Sequence, residues 1–378
     1  MTSRERLLKL LAGEIPDCVP VMPDMSNMIP ARLTGKPFWE VYLYNNPNIF
    51  DAYIDCAKYF DIDSLMDGYI PIILPDPDEP EGPPWEEFIV ARPPGRIVTQ
   101  ESYVEGGKRV WRPRVTVYYE ADSPTGDIPP AKLGLPEVPE RWEPVEGRKE
   151  IKYDAEDFKR FKEKMGEQGL VGAGITSSCA LYSVEEVYEY YDHPEKHEEW
   201  ARERVEEAEK YFQRVMASGA DPDFICVGGS GSLVFQTVEI FRQLAFPAVR
   251  RVIELATEAG LATHMHSCGP EKELVKIMAE ETGLSVIDPL ERPPMGDCDL
   301  AELKRLYGDK LILKGNLHTT DVLLRGSVED VVAASKKCID DAAEGGGFIL
   351  SSGDQCGRDT PDENIRAMVE TARTYGRY

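Results

Sequence analysis

From residue 151 onward, short apolar runs alternate with stretches of helical period, and this alternation constrains the fold more than any other feature of the chain. Apolar runs stand at 170–173, 224–227, 261–265, 284–287, 310–314 and 348–351. Helical stretches lie near 194–218, 237–259, 270–282, 298–307, 327–343 and 361–374, and Ser183 and Glu186 have capping-box spacing before another. Strands separated by helices pair in parallel, because each crossover returns the chain to the same end of the sheet. Two further runs, 18–22 and 62–66, bring the number of strands to about eight, which predicts a (β/α)8 TIM barrel. A doubly wound nucleotide-binding sheet is disfavoured. Gly228-Gly229-Ser230-Gly231-Ser232 follows a strand, but it has neither the dinucleotide spacing nor the lysine of a phosphate loop.

Residues 72–150 break the rhythm. They are rich in proline and glycine, and two alternating segments at 96–104 and 109–119 predict a β-hairpin. The reading is one barrel domain over 1–378 with an insertion at 72–150. The insertion carries Trp85, Tyr103, Trp111, Tyr118, Tyr119 and Trp142. These aromatics suit either a cover over a substrate or packing against the barrel. A homodimer contact is a third use of the same segment.

Composition excludes several functions. The net charge of −25 repels nucleic acid and anionic membranes. No apolar run reaches about 18 residues, so no membrane helix is expected. The opening residues read as a capped helix, with Thr2 and Glu5 in capping-box spacing and Gly13 at its end, and not as a leader peptide; a cytoplasmic protein is expected. The eight cysteines are scattered, which suits reduced core residues and, beside histidine, metal ligation.

The strongest chemical signal is His264-Met265-His266-Ser267-Cys268-Gly269, at the end of the run 261–265. In an extended strand His266 and Cys268 point the same way. At the carboxyl end of a barrel strand they would sit where active sites of this fold assemble. Cys356 follows the run 348–351 in a second loop. One imidazole and two thiolates suit Zn2+ with an open fourth position, and thiolates disfavour Mg2+ and Ca2+. The competing reading is that these are satisfied core residues.

His266-Ser-Cys268-Gly, Lys314-Gly-Asn-Leu-His-Thr-Thr and the tail from Gly345 through Asp359-Thr-Pro-Asp-Glu-Asn-Ile resemble the uroporphyrinogen decarboxylase superfamily. The opening Arg4-Glu-Arg-Leu-Leu-Lys-Leu-Leu-Ala-Gly with Val19-Pro-Val is similar too, so the resemblance covers most of the chain outside 72–150. It implies a (β/α)8 barrel. One branch decarboxylates a tetrapyrrole without metal, using an arginine-rich motif near its start. The comparable stretch here, 21–30, lacks those arginines. The other branch comprises zinc methyltransferases of corrinoid systems, whose His-x-Cys and distant Cys ligands match His266, Cys268 and Cys356. That resemblance implies methyl transfer between a small methyl donor or acceptor and cobalamin carried by a separate corrinoid protein, since the chain shows no Asp-x-His-x-x-Gly pattern of its own. Glu291 is placed like a displaceable carboxylate ligand of that branch, against the alternative of a solvated loop acid. His318 is a candidate for substrate binding or support of the zinc, and His264 for packing. The aromatics of the insertion tilt the expected substrate toward an aromatic methyl ether. The rival readings are a metal-free decarboxylase and a barrel that only binds a corrinoid protein or small ligand.

Overall fold

The structure, a computed structural model, describes residues 1–64, 69–75 and 82–378. The chain divides into two compact units: residues 1–26, 57–74 and 153–378, and residues 27–56 and 75–152.

The first unit is the barrel. Seven parallel strands neighbour one another in chain order: Tyr69–Ile70, Gly172–Gly174, Phe224–Cys226, Ala262–His266, Val286–Asp288, Ile312–Leu317 and Phe348–Ser352. The eighth position belongs to the segment around Val21, which bridges Leu350 in parallel. Leu350 N–H donates to Pro20 O at 2.8 Å, and Met22 N–H donates to Leu350 O at 2.9 Å. On the other side Asp63 N–H donates to Val21 O at 2.8 Å. This segment never becomes a full strand because Pro20 and Pro23 have no N–H to add to a ladder. The Asp63 carboxylate takes up the difference. It accepts from Val21 N–H at 2.8 Å, and both Arg6 and Arg373 pair with it at 2.7 Å.

The N-terminal helix Ser3–Leu11 has the capping box expected from Thr2 and Glu5. Its Leu7 and Leu10 pack with Met22, Leu170, Phe224, Val286 and Ile349, residues at or near the starts of barrel strands. Apolar packing therefore shuts the amino-terminal end of the barrel, and polar chemistry is left to the carboxyl ends.

Several expected elements shift. Only residues 62–64 of the run 62–66 are described, and they are irregular; the pairing strand is Tyr69–Ile70. The helix expected over 237–259 is a short turn, Val238–Ile240, a π-helical segment, Phe241–Ala245, and the helix Phe246–Glu258. Pro247, which lacks the N–H for an i−4 bond, opens that last helix and accounts for the wider turn before it. Ser183 and Glu186 form their capping box on Val184–Asp192. Pro361 holds the cap position of the closing helix Asp362–Thr374.

The second unit holds a five-stranded antiparallel sheet in the order Thr125–Ile128, Lys108–Tyr119, Arg96–Glu105, Glu86–Ala91, Glu143–Pro144. Its central hairpin turns at Gly106-Gly107, both at positive φ (56° and 77°), as a two-residue hairpin loop requires. Trp111 packs edge-on against both Phe88 and Trp142, Trp85 against Tyr103, and Arg109 and Arg112 lie over Phe88 and Trp85. Packing within the sheet accounts for these rings. Among the described residues no helix is long and apolar enough to cross a membrane.

Asp63 is wholly buried and its ring-closing bonds depend on charge. Asp63→Ala would take from Arg6 and Arg373 the buried carboxylate they share, and the loss on urea unfolding should be about 3–5 kcal/mol, as for other broken buried pairs. A loss within about 0.5 kcal/mol, the range of ordinary surface substitutions, would show that the barrel closes without this carboxylate.

Candidate metal centre

The site begins on the strand Ala262–His266. His264 and His266 are two apart, share a face, and are both buried. The strand pairs with Val286–Asp288 so that His266 lies opposite Asp288. Asp288 Oδ1 is 3.1 Å from His264 Nε2 and 3.3 Å from His266 Nδ1. The next strand supplies Lys314, fully buried, whose ammonium donates to Asp288 Oδ2. His264 Nδ1 lies 3.6 Å from Cys226 Sγ. Burial alone would raise the Asp288 carboxyl; Lys314 and then the two imidazoles outweigh it and hold the group well below the ordinary carboxylate range.

With Nδ1 turned toward Asp288, His266 presents Nε2 to the opposite side, 3.9 Å from Asp354 Oδ1. One ligand atom each from His266, Cys268 and Asp354 lies within 4.8 Å of the others. This is a candidate metal-binding trio at the carboxyl ends of the strands. Cys268 does not continue the strand, which ends at His266; the thiol reaches the trio from the following loop. Two glycines permit that loop. A Cβ on Gly228 would lie 2.4 Å from His266 N and 2.5 Å from its O, and one on Gly269 would lie 2.4 Å from Val234 Cγ2, with φ already at +95°. Asp354 stands two residues beyond the strand Phe348–Ser352 at φ 114°, a conformation side chains rarely adopt. Gly353 N–H donating to Leu317 O at 2.6 Å and Cys356 N–H donating to Asp24 O at 2.8 Å hold the loop on either side of it.

The other residues singled out from sequence fall around this trio. Glu291 is buried and accepts Gly269 N–H through Oε2 at 2.5 Å, bracing the turn after Cys268. Burial pushes its carboxyl up, and Asp354 adds to the rise. Cys356, whose thiol is pushed up to about 12 by burial, lies two residues after Asp354 and is not in the trio. His318 accepts Asp321 N–H on Nδ1 at 3.0 Å and so caps the π-helical turn Thr319–Leu324. His264 is a packed residue held by Asp288 and Cys226. Sequence reasoning missed Asp354, Asp288 and Lys314. The available signal was an acid or a lysine within a strand or just past its end.

Residues 125–375, well over half of the chain, match the family described as Uroporphyrinogen decarboxylase (URO-D). The chain belongs to this family. Among curated proteins it is similar to Methylcobamide:CoM methyltransferase MtbA of Methanosarcina mazei, 30% identical over 167 residues that make up 44% of this chain and 45% of the relative. It is also similar to Methylcobamide:CoM methyltransferase MtaA of Methanosarcina barkeri, 29% identical over 173 residues, 45% of this chain and 47% of the relative. The chain spans a little under half the length of these relatives. A solved methyltransferase from Methanosarcina mazei superposes over 99% of both chains with a TM-score of 0.58 at 18% identity, a likeness of fold.

This member of the uroporphyrinogen decarboxylase family also buries Glu271, and neither of its carboxyl oxygens has a hydrogen-bond partner among the described residues. Burial pushes the group well above its ordinary value of 4.5. In the unfolded chain it ionises near that ordinary value, so the folded state retains a proton that the unfolded state releases. The contribution of Glu271 to stability is then complete below about pH 4.5 and falls as pH rises. Glu271→Gln removes this titration. Its stability relative to the parent, measured by urea unfolding at intervals from pH 5 to 8, should increase with pH. A difference that is flat across that range would mean that Glu271 ionises alike in both states.

Proposed function

We propose that this chain is a zinc-dependent methyltransferase, acting in the cytoplasm, that moves a methyl group between a small substrate and the cobalt of a separate corrinoid protein. The observation that carries the reading is the convergence of His266, Cys268 and Asp354 at the carboxyl ends of the barrel strands. An imidazole, a thiol and a carboxylate form a donor set that fits Zn2+, and the thiol disfavours harder cations. The similarity to two methylcobamide:CoM methyltransferases supports cobalt as one side of the transfer.

His266 and Cys268 would hold the metal together with Cys356, which matches the distant cysteine of the family's methyltransferase branch. Zinc bound there supplies Lewis acidity, which lowers the pKa of a thiol or polarises a methylated heteroatom. The protein's own groups prepare that position. Asp288 orients His266 through Nδ1, leaving Nε2 to face the site, as a carboxylate behind a metal-binding histidine does. Lys314 keeps Asp288 ionised. Glu291 fixes the turn that carries Cys268. The packed N-terminal helix closes the far end of the barrel, so substrate and the corrinoid partner approach from the carboxyl ends. The substrate class is a methylated O, S or N compound, aromatic methyl ethers included, or a thiol. The thiol-bearing cluster, with the absence of arginine from residues 21–30, favours this reading over metal-free decarboxylation.

Purified protein should contain about one zinc per chain, as a single site of this kind holds. Cys268→Ala and His266→Ala should lose both the metal and methyl transfer while keeping a native circular dichroism spectrum. Transfer is read from the cobalamin spectrum, with methylcobalamin plus a thiol in one direction and reduced cobalamin plus a methyl ether or methylamine in the other. Full metal content in both variants would remove the site assignment. An unchanged spectrum with every substrate class, with free cobalamin and with corrinoid proteins from the same cell extract, would remove the methyltransferase.

A further inference from the structure

We infer that Ser267 and Ser232 are positioning residues of this centre, and that through the segment between His266 and Gly269 they set where the Cys268 thiol stands. The inference rests on the zinc reading above and concerns residues that hold no metal themselves.

Three loops meet beside the ligand segment. Ser178 follows the strand Gly172–Gly174, Ser232 follows Phe224–Cys226, and Ser267 comes directly after Ala262–His266, on three adjacent strands. All three serines are wholly buried. Ser232 N–H donates to Ser267 Oγ at 3.1 Å. The Ser232 and Ser178 hydroxyls hydrogen-bond each other, and Gly229 O, 3.1 Å from the first and 3.3 Å from the second, accepts the proton that the pair has left. Gly229 N–H in turn donates to His266 O at 3.0 Å. Gln236 closes the joint: its amide donates to Ser178 O at 2.6 Å and accepts Ala180 N–H at 2.9 Å. The loops meet this closely because residue 229 is glycine; a Cβ there would lie 2.5 Å from Ser177 Oγ.

The place where the strand stops gives this joint its use. His266 is the last residue of its strand and is oriented by Asp288. Cys268 lies beyond the strand, so no ladder places its thiol. Ser267 N–H donates to Asp288 O at 2.8 Å on one side, and the Ser267 hydroxyl accepts Ser232 N–H on the other. Gly269 N–H is held by Glu291. The residues before and after Cys268 are thus pinned, and the Ser232 loop supplies the pin on the side away from Asp288. Apolar side chains could fill the same space, but satisfied buried hydrogen bonds fix one geometry where packing alone tolerates several. A buried hydroxyl or N–H that loses its partner is costly, so removing one member disturbs the others.

The test uses the full chain, both metal-free and loaded with Co2+ in place of Zn2+. The parent is compared with Ser267→Ala, Ser232→Ala and the double variant. The control is Ser335→Ala, which removes a wholly buried serine of the helix Val328–Ala342 whose hydroxyl has no hydrogen-bond partner among the described residues. Three quantities are read: Co2+ affinity against a competing chelator, the d–d absorption of the bound ion, and amide hydrogen exchange, in the metal-free protein, of the peptides that carry Ser232 and Ser267–Gly269. Both single variants should lose about tenfold or more in Co2+ affinity, the scale on which outer partners of metal ligands register. Their d–d bands should shift, and the Ser267–Gly269 amides should exchange faster. The double variant should lose no more than Ser267→Ala alone, because Ser232 acts through Ser267. Ser335→Ala should match the parent in all three. Single variants that match the parent, the same changes in Ser335→Ala, or losses that add in the double variant would overturn the assignment. If Ser267→Ala does not fold, Ser232→Ala leaves the ligand segment's own sequence intact and carries the comparison. A parent that takes up neither Zn2+ nor Co2+ would overturn the zinc reading, and the positioning role with it.

Discussion

A carboxylate sealed inside a barrel stays ionised only if cations or donors stand against it, and the Asp288 carboxylate meets that condition with Lys314 on one oxygen and His264 and His266 on the other. These four residues come from three adjacent strands, so their pairing depends on the parallel register that sets His266 opposite Asp288. Desolvation makes such a cluster costly to assemble and more costly to break in part. What it secures here is direction: one face of the His266 imidazole is fixed inward, and the other is left for the centre at the strand ends.

The opposite end of the barrel uses the same device for another purpose. Asp63, buried between Arg6 and Arg373, supplies through its side chain the hydrogen bond that a proline-limited first strand lacks in its backbone. The ring is thus closed by strand ladders at seven strands and, at the eighth position, by a few backbone bonds reinforced by a buried carboxylate. Apolar packing of the N-terminal helix seals that end. Stability and chemistry are divided between the two ends, as is usual in this fold.

The acids around the centre are not equivalent, although a sequence writes them alike. Asp288 is held ionised by its cations, Glu271 is pushed toward the neutral form by burial, and Glu291 is raised by burial and by the nearby Asp354. Three carboxyl groups near one imidazole are therefore shifted in different directions or by different causes, and environment alone separates them.

The alternation of apolar runs and helices by itself determined a parallel barrel, because each crossover must return to the same sheet edge. It also put His266 and Cys268 at the end of a strand, and the alternating segments 96–104 and 109–119 marked the hairpin. Local periodicity carries that information within a dozen residues. What it cannot carry is which loops converge once the ring closes. That Asp354 stands with His266 and Cys268, that His318 caps a turn, and that Lys314 meets Asp288 were decided only by the tertiary structure. The reason is physical: strand register and barrel closure bring together groups dozens of residues apart, and burial then sets the charge that each one bears.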